Sequence, residues 1–404
     1  MSAEFLASRL RRVRPSPTAA ISDQVRALSA AGMDVINLGE GELDFDTPAH
    51  IKQAGIDAIV QGDTKYTAVA GTAALKRAII TKFNRENRIS YRPDEVIAGS
   101  GAKQLIFNAL LATVSAGDQV IIPAPYWVSY PDMVALAEGE PRIVRCLECH
   151  DWKLQPEILA AAITAKTRWV ILNSPNNPTG AVYSAGELKA LAAVLLEHPQ
   201  VLVMADDIYE QICFSSGAFA TLADVEPRLK DRILTVNGVS KGYSMTGWRL
   251  GYAGGPAWLI SAMQILQSQS TSNPSSISQA ATVAALEQSS DFITEWIEIL
   301  ARRRALIMDC IENLDGLSAD VPPGAFYVFA NCQGMLGKTT PSGDIVQNDE
   351  DFAAYLLESA HVATLQGSAF GAPGYLRIAY AIDDSRLQEA CERITRACRA
   401  LRLQ

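Results

Sequence analysis

Between about residues 95 and 255 the chain alternates short apolar runs with longer amphipathic stretches. Short apolar runs bounded by turn residues predict buried strands, and apolar positions three or four apart predict helices. Strands that alternate with helices are typical of an α/β protein, with a mainly parallel sheet covered by helices on both faces. The predicted strands are 96–98, 119–123, 169–173, 201–205 and 233–237, and two of the predicted helices are 104–113 and 187–196.

The pattern changes after residue 260. Residues 260–312 read as mostly helical with a loop within 268–278, and an α+β pattern follows, with strands at 325–330 and 375–380 and helices from about 352 and 385. The first 48 residues have no core of their own, so we expect them to pack with the C-terminal part. The predicted domains are a large one, 49–299, and a smaller discontinuous α+β one, 1–48 with 300–404.

Composition narrows the class of protein. The formal net charge of −9 argues against a nucleic-acid partner, and no apolar run approaches the ~20 residues of a membrane helix. Seven cysteines, an odd number, without an apolar signal segment favour reduced thiols in the cytoplasm. Cys146 and Cys149 form a lone CxxC, which lacks the second pair of a zinc site and indicates two ordinary thiols near a strand.

Lys241 lies among small residues and is followed eight positions later by Arg249. A lysine amine forms an imine with an aldehyde, and a guanidinium binds phosphate through paired hydrogen bonds. Pyridoxal 5′-phosphate (PLP) carries both groups, so the run predicts a site for it, although a lone lysine is more often a surface residue. The run is Val236-Asn237-Gly238-Val239-Ser240-Lys241-Gly242-Tyr243-Ser244-Met245-Thr246-Gly247-Trp248-Arg249.

Two other segments supply further parts of such a site. Asp206 follows the strand predicted at 201–205, where a carboxylate can keep a pyridine nitrogen protonated. Aspartate also caps helices, and the adjacent Asp207 is the better candidate for that purpose. The turn at 99–103 joins a strand to a helix, and amides at a helix start bind anions. Either segment alone is common turn chemistry.

With motifs elsewhere, the lysine run resembles the cofactor-lysine signature of class I aminotransferases, which are fold-type I PLP enzymes. The resemblance extends over nearly the whole chain and is closest to bacterial aspartate aminotransferases with Met-Thr-Gly-Trp-Arg after the lysine. One departure is Leu43, which stands where the family usually has proline. The other motifs are Gly41-Glu42-Leu43-Asp44-Phe45-Asp46-Thr47-Pro48, Lys65-Tyr66, Gly101-Ala102-Lys103-Gln104, Pro125-Tyr126-Trp127-Val128-Ser129-Tyr130, Asn173-Ser174-Pro175-Asn176-Asn177-Pro178-Thr179-Gly180, Asp206-Asp207-Ile208-Tyr209 and Arg377-Ile378.

The resemblance implies a role for each matching residue. Lys241 is the implied catalytic residue, holding the cofactor and then acting as general base and acid. Arg377 and Gly41 are implied to meet the substrate α-carboxylate, and Lys103 the distal carboxylate of an acidic substrate. The implied cofactor-binding residues are Gly101, Ala102, Lys103, Trp127, Asn177, Asp206, Tyr209, Ser240, Lys241 and Arg249, with Tyr66 contributed to the neighbouring subunit of a homodimer; the implied substrate-binding residues are Gly41, Lys103, Trp127, Asn177, Arg377 and Thr18.

The implied activity is transfer of the amino group of L-aspartate to 2-oxoglutarate by a ping-pong PLP mechanism without a metal. Broader specificity stays open, for aromatic amino acids or for prephenate and glutamate, because residues 14–18 resemble the N-terminal loop of relatives that transaminate prephenate. A PLP β-lyase would share the cofactor residues, and Lys103 argues against it. A PLP-binding transcription regulator is the alternative of another class, and the sequence shows no DNA-binding domain or basic charge for one.

Overall fold

The computed structural model describes residues 5–214, 217, 219–288 and 290–403. Each of the predicted strands and helices between residues 95 and 255 is present, with its ends within two residues of the prediction. The strands are β1 (Ile36–Asn37), β2 (Val96–Gly99), β3 (Gln119–Ala124), β4 (Glu140–Arg145), β5 (Thr167–Asn173), β6 (Leu202–Asp206), β7 (Ile233–Gly238), β8 (Gly251–Gly254), β9 (Tyr327–Asn331), β10 (Val362–Ala363), β11 (Leu365–Gln366) and β12 (Tyr375–Ala379).

Helices flank and connect these strands. The long helix Asp291–Glu312 has an amphipathic face whose buried residues join the core of the C-terminal part. The helices are α1 (Pro17–Ala30), α2 (Ala49–Val60), α3 (Ala73–Asn87), α4 (Ala102–Thr113), α5 (Ser129–Leu136), α6 (Pro156–Ala162), α7 (Ala185–Leu196), α8 (Leu222–Val225), α9 (Ala257–Ser268), α10 (Ser276–Glu287), α11 (Asp291–Glu312), α12 (Asp349–Ala360) and α13 (Asp384–Ala400).

The central sheet has seven strands in the order β2-β8-β7-β6-β5-β3-β4. Strand β8 runs antiparallel to its neighbours β2 and β7, and the other neighbouring pairs are parallel. The sheet is therefore mainly parallel, as predicted. Strand β8 itself escaped prediction because it has only four residues, Gly251–Gly254, and three of them are glycine or alanine, which are depleted in strands.

Alternate residues of the central strands enter two separate cores, one on each face of the sheet. In β5, Val170 and Leu172 pack with residues of α3, α7 and α10, whereas Trp169 and Ile171 pack with α4 and α9. Successive side chains of a strand point to opposite faces, so this alternation requires helices on both faces. The predicted α/β fold with a helix-covered sheet is confirmed.

A third core lies in the C-terminal part, where the antiparallel sheet β11-β12-β9 packs against α11, α12 and α13. Ile36 of β1 pairs with Val362 of β10, and Leu38 and Leu43 enter the same core. The N-terminal segment thus packs with the C-terminal part. The exact domain limits, 49–299 against 1–48 with 300–404, stay a prediction, and α11 runs across the limit at residue 299.

Asp207 does not cap a helix, so that prediction is wrong. It is followed by turn residues, and its buried carboxylate accepts a hydrogen bond of 2.6 Å from the Thr221 hydroxyl. A buried carboxylate needs such a donor, and the turn brings one from a distant segment. Cys146 is buried beside the end of β4 and Cys149 is exposed, and both are free thiols.

Within the described ranges, none of the helices has the length and apolarity needed to cross a membrane.

Candidate active site

A cavity of about 520 Å³ opens at the carboxyl ends of the parallel strands. Asn173 ends β5, Asp206 ends β6, and Lys241 lies just beyond β7, so neighbouring strands deliver these side chains to one place. In open α/β sheets this edge is where ligands bind. The predicted site residues that line the cavity are Thr18, Gly41, Ala102, Lys103, Trp127, Asn177, Asp206, Tyr209, Ser240, Lys241, Arg249 and Arg377.

Asp206 is a buried carboxyl on the cavity wall. Its Oδ2 accepts a hydrogen bond of 2.5 Å from the Tyr130 hydroxyl, and its Oδ1 accepts one of 3.4 Å from the Ile208 amide. Burial raises the pKa of Asp206 to about 6, against the opposing effect of these donors and of the Lys241 charge. A cation on the cavity side would hold this carboxyl ionised.

The Lys241 amine donates a hydrogen bond to the carbonyl oxygen of Gly41, which lies in the loop after β1. Burial, reinforced by the positive charge of Arg377, lowers the pKa of Lys241 to about 8. A larger share of neutral amine is therefore present near neutral pH than for an ordinary lysine, which is what nucleophilic attack requires.

The turn before α4 is built closely around Arg249. Gly101, the residue before the helix, has a φ of +89°, and a Cβ there would lie 2.5 Å from Nη2 of Arg249. A Cβ on Gly251 of β8 would lie 2.2 Å from the Ala102 nitrogen. These glycines let the guanidinium and the helix start approach each other, which forms a place for an anion.

Two tyrosines and an asparagine form the floor beside Arg377. The hydroxyls of Tyr209 and Tyr327 are 2.8 Å apart, and the Arg377 guanidinium lies 4.5 Å from the ring centre of Tyr327. The Asn177 side-chain oxygen accepts from Nη1 of Arg377 at 2.9 Å. Burial raises the pKa of Tyr209, so its phenol stays protonated at neutral pH.

Arg377 is buried although it lies in an alternating strand, where arginine usually faces solvent. The side chain of this β12 residue is covered because its small sheet packs against the cavity, and only 1% of its surface is exposed. Its Nη2 donates to the Gly39 carbonyl at 2.5 Å, and its buried Nε has no hydrogen-bond partner among the described residues. An unpaired buried donor on a guanidinium that lines a cavity is suited to an incoming carboxylate.

A second cation that lines the cavity is Lys103, which lies in the first turn of α4. Its amine is 4.8 Å from the ring centre of Trp127. Partial burial of the amine and the charge of Arg249 lower the pKa of Lys103. Thr18 also lines the cavity, and its hydroxyl is 2.8 Å from that of Ser16.

Tyr66 lies outside the cavity of its own chain, and 92% of its surface is exposed. Tyr130, Tyr327 and Gly39 are site residues that sequence reasoning missed. The sequence did point to Tyr130, since this residue ends the motif that begins at Pro125 and lies three residues after Trp127. Nothing in the sequence pointed to Tyr327, because it lies in an apolar strand that reads as ordinary core.

The described residues fit PLP. A phosphate suits the α4 start with Arg249, a protonated ring nitrogen suits the buried Asp206 carboxyl, and an aldehyde suits the Lys241 amine. Each fit rests on a feature of the chain itself: a glycine cradle, a buried carboxyl that accepts from the Tyr130 hydroxyl, and an amine of lowered pKa.

Known proteins resemble the chain over nearly its whole length. The model of the family described as aminotransferase class I and II matches residues 33–394. The aspartate aminotransferase of Rhizobium meliloti (strain 1021) is 53% identical over 392 residues, covering 97% of this chain and 96% of that protein. The aspartate/prephenate aminotransferase of Cereibacter sphaeroides (strain ATCC 17029 / ATH 2.4.9) is 52% identical over 397 residues, covering 98% of this chain and 99% of that protein.

Solved structures give the same result. The aspartate aminotransferase from Rhizobium meliloti superposes with a TM-score of 0.94 at 53% identity, covering 98% of this chain and 99% of that one. The aspartate aminotransferase from Thermus thermophilus, solved with maleate, gives a TM-score of 0.91 at 40% identity, covering 97% of this chain and 99% of that one. Class I aminotransferases are PLP enzymes that act on amino acids and 2-oxo acids. The chain belongs to the class I and II aminotransferase family.

Proposed function

We propose that the protein is an aspartate aminotransferase, which transfers the amino group of L-aspartate to 2-oxoglutarate and yields oxaloacetate and L-glutamate. The observation that carries this proposal is the pair of cations, Arg377 and Lys103, on the cavity that also contains Lys241. Both amino acids and both 2-oxo acids of this reaction are dicarboxylates. The names of the relatives from Rhizobium meliloti and Thermus thermophilus support the same substrate.

Arg377 is proposed to bind the α-carboxylate. Two of its donors are already held by Asn177 and Gly39, which fixes the plane of the guanidinium. The buried Nε and the remaining hydrogens on the Nη atoms are then available to a carboxylate in paired geometry. Gly41 allows the close approach, because a Cβ there would lie 2.7 Å from the Tyr327 hydroxyl.

Lys103 is proposed to select the distal carboxylate. It occupies the first turn of α4, where the helix dipole disfavours a cation and therefore strengthens the attraction of any anion that enters. The Trp127 ring below it orients the amine toward the cavity. A substrate with a short apolar side chain would leave this amine without a partner.

The proposed cofactor contacts follow from the same geometry. PLP, when bound, supplies the aldehyde for the lysine and an electron sink for the charge that develops at the substrate α-carbon. Asp206 would hold the ring nitrogen protonated, assisted by the Tyr130 hydrogen bond. Trp127 would cover the ring face, and Asn177 and Tyr209 would donate to its phenolic oxygen. The proposed phosphate contacts are the main chain at Gly101, Ala102 and Lys103, together with Ser240 and Arg249.

Lys241 is proposed to move the proton. Its amine removes the proton from the substrate α-carbon and returns it to the carbon that carried the aldehyde. A pKa near 8 lets the same amine accept and release a proton near neutral pH. Because the two substrates use one site in turn, we expect ping-pong kinetics.

A second copy of the chain is proposed to complete the site, with Tyr66 reaching the phosphate bound to its partner. Tyr66 is exposed in the single chain, and exposed apolar side chains of α2 lie close to it in sequence, with others on α9. Exposed apolar side chains in such number are typical of an interface. They are Ile56, Ile59, Val60, Trp258 and Ile265.

The seven free thiols support a reducing compartment, and we propose the cytoplasm.

The proposal is tested by a steady-state assay with L-aspartate and 2-oxoglutarate. We expect the wild type to turn over with parallel double-reciprocal plots. We expect no turnover by Lys241→Ala. Lys103→Ala should lose about 100-fold in kcat/KM for L-aspartate and far less for L-alanine, because a charge-assisted bond is lost only with the former. Turnover of L-alanine in preference to L-aspartate by the wild type would refute the substrate.

Prephenate is a second candidate substrate, favoured by the position of Thr18 on the cavity wall and by the name of the Cereibacter sphaeroides relative. The purified protein should then form arogenate from prephenate and L-glutamate or L-aspartate, and Thr18→Val should lower this rate more than the rate with 2-oxoglutarate. Absence of arogenate would dispose of this activity and leave the aspartate reaction untouched.

A further inference from the structure

Residues 39–47, which we call the strap, bind the side chains of Arg377 and Lys241 through main-chain carbonyls. The Gly39 carbonyl accepts from Nη2 of Arg377 at 2.5 Å, and the Gly41 carbonyl accepts from the Lys241 amine. These acceptors are only two residues apart. In the PLP-loaded protein Lys241 would be held by the cofactor, so a shift of the strap would mainly change the surroundings of the carboxylate-binding arginine.

One side of the strap is bonded to the loop that follows Lys241. The Thr47 hydroxyl donates to the Ser244 carbonyl at 2.7 Å and accepts from the Trp248 indole at 3.1 Å. The Thr246 hydroxyl donates to the Glu42 carboxylate at 2.8 Å. These bonds tie the strap to the large sheet but do not fix it to the core of the C-terminal part.

The strap is attached to the C-terminal part by the Asp44 amide, which donates to the Ala381 carbonyl at 3.2 Å, and by the buried Leu43. Its side-chain attachment there is made by Arg303 of α11. Its Nη1 and Nη2 donate to the two carboxylate oxygens of Asp44 at 2.7 and 3.0 Å, and its Nε donates to Asp384 at 2.6 Å. The guanidinium also lies 5.2 Å from the ring centre of Phe45. One side chain thus joins the strap to α11 and to the first turn of α13.

The guanidinium of Arg303 is buried and therefore needs hydrogen-bond partners. Only 6% of the Arg303 surface is exposed, and a guanidinium is withdrawn from water only where it is well paired. Paired bonds to both oxygens of Asp44 fix direction as well as distance, which a single packed apolar side chain does not do. The neighbouring Arg304 shows the contrast, since it donates to the Pro322 carbonyl at 2.7 Å and lies over Phe214, away from the strap.

We propose that Arg303 is a positioning residue for Arg377, acting through Asp44 and the strap. The proposal rests on the proposed function in one respect, that Arg377 binds the α-carboxylate. Releasing the strap withdraws the Gly39 carbonyl that orients the Arg377 guanidinium. Because every amino acid carries an α-carboxylate, the affinity for all substrates falls together, in contrast to a change at Lys103, which affects dicarboxylates.

The variants are Asp44→Asn and Arg303→Met, with Arg304→Met as the matched control on the same helix. For the PLP-loaded enzyme, we expect Asp44→Asn to raise KM about tenfold for L-aspartate and by a similar factor for L-alanine, with kcat within about threefold. Arg304→Met should leave both KM values unchanged. A rise confined to L-aspartate, or an equal effect of Arg304→Met, would overturn the positioning role.

Hydrogen exchange of the apoprotein supplies a readout that does not depend on activity. Amides of residues 39–47 should exchange at least about ten times faster in Asp44→Asn than in the wild type, while the core strand β6 keeps its protection. Unchanged exchange would overturn the proposal. If Arg303→Met does not fold, Asp44→Asn decides, because it retains the arginine and the side-chain volume.

Failure of the proposed function is recognised separately. A wild type that does not transaminate aspartate would refute the proposed substrate, and the exchange of the apoprotein would still show whether Arg303 holds the strap.

Discussion

Asp206 shows at the residue scale how a functional group works against stability. The pKa of its carboxyl is raised from 3.8 to about 6, chiefly by burial. The folded protein therefore binds this proton more tightly than the unfolded chain does. Stability from this group is present at low pH and is lost as the pH rises from about 4 through 6. At neutral pH the apoprotein carries a buried negative charge that the cofactor's ring cation would offset.

We predict that Asp206→Asn stabilises the apoprotein at pH 7.5, by up to about 3 kcal/mol, because the buried charge is removed while Tyr130 keeps an acceptor. The gain should shrink as the pH is lowered toward 5. The same variant should bind PLP more weakly. Urea unfolding of both apoproteins across this pH range measures the difference, and a variant less stable than the wild type at pH 7.5 would contradict the prediction.

Individual residues were predictable where a side chain has few alternative uses. Lys241, Asp206 and Arg249 lay in motifs with a clear chemical purpose, and they line one cavity. Tyr327 and Arg303 were not predictable. A tyrosine in an apolar strand and an arginine in a charged helix are ordinary in sequence, and only tertiary contacts with the strap and Arg377 give them significance.

At the scale of elements, strand β8 supports the proposed site, although little in the amino-acid sequence predicted it. Gly251 of β8 faces the start of α4 so closely that a Cβ would lie 2.2 Å from the Ala102 nitrogen. The glycine thus lets a strand of the central sheet support the turn that is proposed to bind phosphate. The strong 3.6-residue pattern of α4 was predictable, whereas this close contact between backbones was not.

We predict that Gly251→Ala lowers the affinity of the apoprotein for PLP and for inorganic phosphate at least about tenfold, because the added methyl displaces the start of α4. Gly247→Ala is the control, since a Cβ there meets no atom within 4 Å. Isothermal titration with either ligand measures the effect. Equal affinities of Gly251→Ala and the wild type would show that the helix start does not form the phosphate site.

On the scale of the whole molecule, we propose that a second chain completes the site. Tyr66, exposed at 92%, is not among the residues that line the cavity of its own chain, and α2 presents apolar side chains to solvent. The sequence indicated the packing of the N-terminal segment with the C-terminal part, and Ile36 pairs with Val362. It could not give the mutual placement of two copies, because an interface has no periodic signature along one chain.

We predict that subunits complement each other. In a mixed dimer of Lys241→Ala and Tyr66→Ala chains, one site carries both changes and the other carries neither. Random pairing of equal amounts should therefore restore about a quarter of the wild-type sites. Unfolding and refolding the variants together, followed by the aspartate assay at limiting PLP, measures this. Activity no higher than the sum of the separate variants would show that Tyr66 serves no partner site.

The reaction itself is tested most directly by a single turnover. The PLP-loaded protein is mixed with L-aspartate without any 2-oxo acid, and the oxaloacetate released is counted against protein chains. We predict about one oxaloacetate per chain, followed by L-glutamate in equal amount when 2-oxoglutarate is added afterwards. Release no greater than from Lys241→Ala would contradict the proposed transamination.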